Sequence, residues 1–189
     1  MSKLIYLVLL AVPLSLLSAA RADEDTVAAI EPAYAAIELS AVLDAVANDT
    51  GKTFVVDAGV DGRIFAGQLR VRSIDMATLH SLLFANGLAA VDKGEFVRVM
   101  EVARIRQQQL PFVGETDREF ADDEWVTHLI RVEEVPAALL VPILRPLLPP
   151  QAHLVANKAS NTLLLVDRYA SVQRLSSLIR ALDKKVDSQ

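Results

Sequence analysis

Four short stripes of apolar residues at helical spacing, centred on Val42, Leu82, Leu140 and Leu175, alternate along this chain with runs that read as strands. Each helix is long enough to bury one face and no more, and each strand needs neighbours to bury its own. Such a pattern is met by small α+β layers in which two helices cover a three-stranded antiparallel or mixed sheet.

The stripes fall into two blocks. In the first, Leu39, Val42, Leu43, Val46 and Ala47 form one helix face, and Gly51 suits the left-handed position beyond its end. Phe54-Val55-Val56 reads as a strand, and so does the alternation of Leu69 and Val71 with Arg70 and Arg72. Met76, Leu79, Leu82, Leu83 and Phe84 predict a second helix, started at Ser73 or Asp75 and stopped at Asn86-Gly87. Residues 88–91 and 96–100 flank Asp92-Lys93-Gly94-Glu95 as a hairpin. With a first strand at Val27, Ala28, Ala29 and Ile30, the order is strand, helix, strands, helix, hairpin.

In the second block, 125–131 alternates as a strand. Pro136 begins a helix whose apolar run is Leu139, Leu140, Ile143, Leu144 and Leu147, with Pro142 and Pro146 inside it. Residues 153–156 and 162–166 are strands around a turn at 157–161. Asp167 is placed to cap a last helix burying Val172, Leu175, Leu178, Ile179 and Leu182. The order is strand, helix, strand, strand, helix. Between the blocks, Glu115, Asp117, Glu119, Asp122, Asp123 and Glu124 are opposed only by Arg118, which reads as a solvated, self-repelling joint. Their spacing lacks the Asp-x-Asp-x-Asp-Gly calcium loop.

The first 22 residues read as an export signal: Lys3, an apolar run over 4–17, and Ala20-x-Ala22 before Asp23. The run is short for a membrane span and contains Pro13, so cleavage is expected to leave a soluble exported chain with no membrane insertion. The 189 residues contain no cysteine, three histidines and a net charge of −5. That excludes disulfides, thiolate metal sites and Cys nucleophiles, and it argues against nucleic acid as a partner.

The second block resembles the repeated periplasmic domain of the secretins. The resemblance lies in Val126-Thr127-His128-Leu129-Ile130-Arg131-Val132, in the helix with Pro142, and above all in Ser160-Asn161-Thr162-Leu163-Leu164-Leu165-Val166-Asp167 followed by a helix closing on Ile179-Arg180-Ala181-Leu182-Asp183. The first block resembles the short N-terminal module shared by secretins and TonB-dependent signalling receptors, through Gly51-Lys52-Thr53-Phe54-Val55-Val56-Asp57, Val60-Asp61-Gly62-Arg63 and Leu82-Leu83-Phe84-Ala85-Asn86-Gly87-Leu88.

The resemblance implies two small domains: a mixed-sheet N-terminal module over 23–106 and a βαββα, KH-like repeat over 125–183. An acidic linker over 107–124 would join them, and a tail over 184–189 would follow. It implies a periplasmic interaction module of a type II secretion-like apparatus, its partners an inner-membrane subunit and other secretin-like subunits. No barrel strands are read, so a pore is not expected of these residues. A receptor-type signalling adaptor is the alternative, and a periplasmic hydrolase a more distant one.

No catalytic, cofactor or metal residues are expected. His80, His128 and His153 share no short spacing with one another, and neither a Gly-x-Ser-x-Gly elbow nor a phosphate-cradling glycine loop is present. The KH-like order lacks the Gly-x-x-Gly loop that RNA would need. His80 is expected to face solvent, Trp125 to be core or sheet edge, and Asn161 to satisfy backbone at a turn. Partner binding is assigned to an open sheet edge at Val27, Ala28, Ala29 and Ile30.

Overall fold

The computed structural model describes residues 36–67, 74–114 and 118–184. The expected strands at 27–30 and 69–72 lie outside them. The first half begins with β1 (Ala36–Glu38), α1 (Leu39–Thr50), β2 (Phe54–Val56), β3 (Arg63–Phe65), α2 (Met76–Ala85), β4 (Leu88–Asp92) and β5 (Val97–Glu101). Helix α1 buries Leu39, Val42, Leu43 and Val46 and stops at Gly51, whose φ of 69° lets its N–H reach Ala47 O at 2.8 Å. Helix α2 is capped by the Asp75 carboxylate, which accepts from Thr78 N at 2.7 Å.

Strands β2, β5 and β4 form a mixed sheet, β2 parallel and β4 antiparallel to the central β5, while β1 pairs antiparallel with β3. Val97 and Val99 join Leu88 and Ala90 beneath the two helices. Ala89, Val91 and Met100 point the other way and are buried as well. Burial on both faces explains why 88–91 is apolar throughout instead of alternating.

The second half holds β6 (Trp125–Arg131), α3 (Ala137–Leu144), β7 (His153–Asn157), β8 (Thr162–Arg168) and α4 (Tyr169–Leu182). The sheet order is β6-β8-β7, antiparallel throughout. Val126, Ile130, Leu154, Leu163 and Leu165 meet Ala137, Leu140 and Leu144 of α3 and Val172, Leu175 and Ile179 of α4.

Three details of the sequence reading are corrected here. Helix α3 ends at Leu144, with a 3-10 turn over Arg145–Leu147, because Pro146 has no N–H to continue the α ladder. Leu178 and Leu182 are exposed, since Ser171 and Ser176 complete the buried face of α4 instead. Asp167 is not the cap residue: it is the last buried position of β8, and Arg168 stands at the helix start. The Asp167 carboxylate accepts from Arg168 N at 2.8 Å and from the Ser171 hydroxyl. Burial pushes its pKa up.

Two polar residues fasten the loop between β6 and α3. Asn161, in the left-handed region at φ 49°, accepts from Ala137 N at 2.7 Å and donates to Val132 O and Val135 O at 2.6 and 3.0 Å. Asp183, just past α4, accepts from Glu133 N, Glu134 N and Val135 N at 2.7, 2.7 and 3.0 Å. Both ends of the Asn…Asp motif therefore hold one loop by its backbone groups, a structural role.

The stretch read as a solvated joint is packed where it is described. Trp125 and Val166 are buried against Ala89, Val91, Met100, Val102 and Ile105, with Phe84 and Leu110 alongside. Val113 and Phe120 rest on the core of the second half, and Glu124 is buried. Its charge repulsion is met locally, because the Arg118 guanidinium makes a forked pair with the Glu124 carboxylate.

Candidate interaction surfaces

Sheet edges come first, since unpaired N–H and C=O groups are the simplest docking device. Val27, Ala28, Ala29 and Ile30, the expected edge, lie outside the described residues. Two described edges are covered by the chain itself. On β6, Val113 N donates to Thr127 O and Thr127 N to Pro111 O, both at 2.9 Å, so residues 111–113 run alongside it. On β3, the Asn86 side-chain amide imitates a strand: it accepts from Phe65 N at 2.8 Å and donates to Phe65 O at 3.0 Å. Among the described residues, β2 pairs only with β5 and β7 only with β8, which leaves an edge on each.

The apolar faces are more informative. Alternation along β6, β8 and β7 sends every second side chain away from the helices. Leu129, Leu164 and Val155 stand in register across the three strands on that far face, Leu129 at 49% and Val155 at 43% exposure. They continue the face on which Trp125 and Val166 meet the first half. On the other side of the same half, α3 turns Leu139 and Ile143 outward one turn apart and the 3-10 turn after it exposes Leu147, with exposures of 62, 56 and 47%. These three were expected in the core. Apart from Arg145, the run 139–147 is apolar on both sides of its helix, and Leu140 and Leu144 enter the core with Val141 partly buried against it. One small half thus carries two unlike exposed apolar strips on opposite faces.

Polar groups converge at the seam between the halves. His80 is buried there, not solvent-facing, among Glu124, Arg118, Asp123 and Asp92, and burial lowers its pKa. The sequence could not reveal this, because Arg118, Asp123 and Glu124 come from residues more than 35 positions away. His128 is half-buried on the helix-facing side of β6 and likewise shifted down by desolvation. Among the described residues no three His, Cys, Asp or Glu side chains are grouped to hold a metal. A cleft of about 890 Å³ beside α2 is lined largely by apolar side chains, Phe65, Leu82 and Phe120 among them. Its Ser81 hydroxyl is already bonded to Asp123. Among the described residues no helix is long and apolar enough to cross a membrane.

Residues 127–188 match the family model described as the bacterial type II/III secretion system short domain. Secretin XcpQ of Pseudomonas aeruginosa is 31% identical over 146 residues, which is 76% of this chain and 21% of that protein. The chain matches the N-terminal region of the type II secretins. Secretin GspD 2 of Escherichia coli is 29% identical over 152 residues, 77% of this chain and 22% of its own length, so the chain spans about a fifth of these relatives. The Klebsiella pneumoniae type II secretion system outer membrane complex, with PulD, PulS and the PulC HR domain, is similar in fold. It has a TM-score of 0.65 at 22% identity, covering 82% of this chain and 27% of the chain compared. The α+β class expected from the stripes holds for the secretin match and for the structure alike.

Proposed function

We propose that this secretin-like chain is a periplasmic protein–protein interaction module of a type II secretion-like apparatus, and that its work is docking, not catalysis. The observation that carries the reading is the pair of unlike apolar strips on the second half: Leu129, Leu164 and Val155 on the sheet, and Leu139 and Ile143 on α3 with Leu147 in the turn after it. A strip that mates with a different strip on the next copy makes a heterologous, head-to-tail contact, and such contacts close into rings when the rotation allows. Side-by-side packing of secretin-like subunits has that form. The second partner is an inner-membrane subunit. The similar Klebsiella complex contains a PulC domain, and the open edge of β2 in the first half offers main-chain groups to such a partner.

Equilibrium sedimentation over a concentration series tests the reading. Association that rises with concentration is expected, and it should be lost with either Leu139→Asp/Ile143→Asp or Leu129→Asp/Val155→Asp. An equimolar mixture of the two variants retains one good strip of each kind and is expected to stop at dimers. A chain that stays monomeric at every concentration, or variants that associate as the parent does, would refute it. Capture of a purified inner-membrane secretion subunit by the chain, weakened by Val56→Pro, whose lost N–H faces away from β5, tests the second contact.

A further inference from the structure

We infer that Asp123 is an orientation lock that holds the two halves of the described chain at one angle. The apolar cluster around Trp125 makes the halves adhere, but apolar burial is non-directional and would tolerate a range of angles. Direction comes from one carboxylate. Asp123 Oδ2 accepts from the Ser81 hydroxyl of α2 at 2.6 Å, and Oδ1 accepts from Arg168 Nη1 at the end of β8 at 2.8 Å. The Arg168 guanidinium lies 3.9 Å from the centre of the Phe84 ring, one turn along α2 from Ser81. First and second halves are therefore tied through two side chains on one face of α2.

The lock works because its own segment is immobilised. Glu124 O accepts from Tyr169 N at 2.9 Å and Asp122 O from Ala170 N at 3.0 Å, so the segment satisfies the first free N–H groups of α4. Phe120 packs tilted against Tyr169 with ring centres 5.3 Å apart, and Arg118 covers Phe120 from 4.3 Å while pairing with Glu124. Asp123 is thus presented from the second half as a fixed acceptor. Asp123 and Arg168 are each about a quarter exposed, at 22 and 26%, so the tie is reachable from solvent. A force or partner acting on the first half is passed to the second through this point.

The chain has no native cysteine, so spin labels can be placed at Asp49→Cys on α1 and Gln173→Cys on α4, both exposed, in the full chain. Pulsed dipolar spectroscopy is expected to give one narrow distance peak, and Asp123→Ala to lose it in favour of a broad distribution while Trp125 emission and helix content are retained. Ser81→Ala, which leaves the Asp123–Arg168 pair within the second half, is the second variant and should add a further distance population even if Asp123→Ala does not fold. A narrow peak unchanged in both variants, or a parent chain already broad, overturns the lock.

Discussion

Replacing Asn161 by alanine should cost about 3–4 kcal/mol of folding stability. Its side chain makes three hydrogen bonds to loop backbone, to Ala137 N, Val132 O and Val135 O. A net value near 1 kcal/mol for each gives about 3 kcal/mol, because the partners are part-buried and are left without replacements. Its φ of 49° adds roughly 1 kcal/mol, since alanine adopts the left-handed region less readily than asparagine. Asn161→Gly loses the same bonds without that strain, so it should fall about 1 kcal/mol short of the alanine variant. Urea unfolding followed by Trp125 emission is the assay, Trp125 being the sole tryptophan and buried. At a slope of about 2 kcal/mol/M, the alanine midpoint should drop by roughly 1.5–2 M with the slope unchanged. A loss under about 1 kcal/mol would refute the view that this residue holds the β6–α3 loop.

Three further outcomes follow from the same geometry. Backbone N–H groups at Glu133, Glu134 and Val135 hold the Asp183 carboxyl below its ordinary 3.8, so its stabilisation is present above that value and fades as pH falls through the lower folded value. The stability gap between the parent and Asp183→Ala, measured by urea unfolding, should be widest near neutrality and close in acid. For His80 the sign is reversed. Burial depresses its pKa below 6.5, so the unfolded chain takes up the proton first and stability drops as pH falls below that value. His80→Gln should show a shallower loss between neutral and mildly acidic pH in thermal melts. Trp125→Ala, which opens a cavity at the seam, should cost about 3–5 kcal/mol by circular dichroism, whereas Leu139→Asp at the exposed strip should change stability by less than about 0.5 kcal/mol.

Much of the fold was legible because its signals are local. The α1 stripe with Gly51, the Asp75 cap, the hairpin around Gly94 and the strand pair flanking Asn161 depend on neighbours a few residues away. Where apolar residues occur on two sides of an element, the sequence pattern is silent on which side meets the core. That is why Leu139, Ile143 and Leu147 read as core and proved to be surface. The candidate surfaces were less legible still. An open edge on β7, an edge hidden by Asn86 and a row made of Leu129, Leu164 and Val155 are products of strand register, which no single strand encodes.

Periodicity, turn residues and the absence of cysteine by themselves determined a small α+β chain without thiol chemistry, and the Asn161 and Asp183 motif pointed to the secretin likeness. Only the tertiary structure decided that the acidic 118–124 segment is a fastening instead of a tether, that His80 is buried, and that the second half bears apolar strips on opposite faces. The physical reason is range. Helix and turn preferences act over a few residues, whereas burial and ion pairing depend on groups brought together from 40 or so positions apart, as Ser81, Asp123 and Arg168 are here.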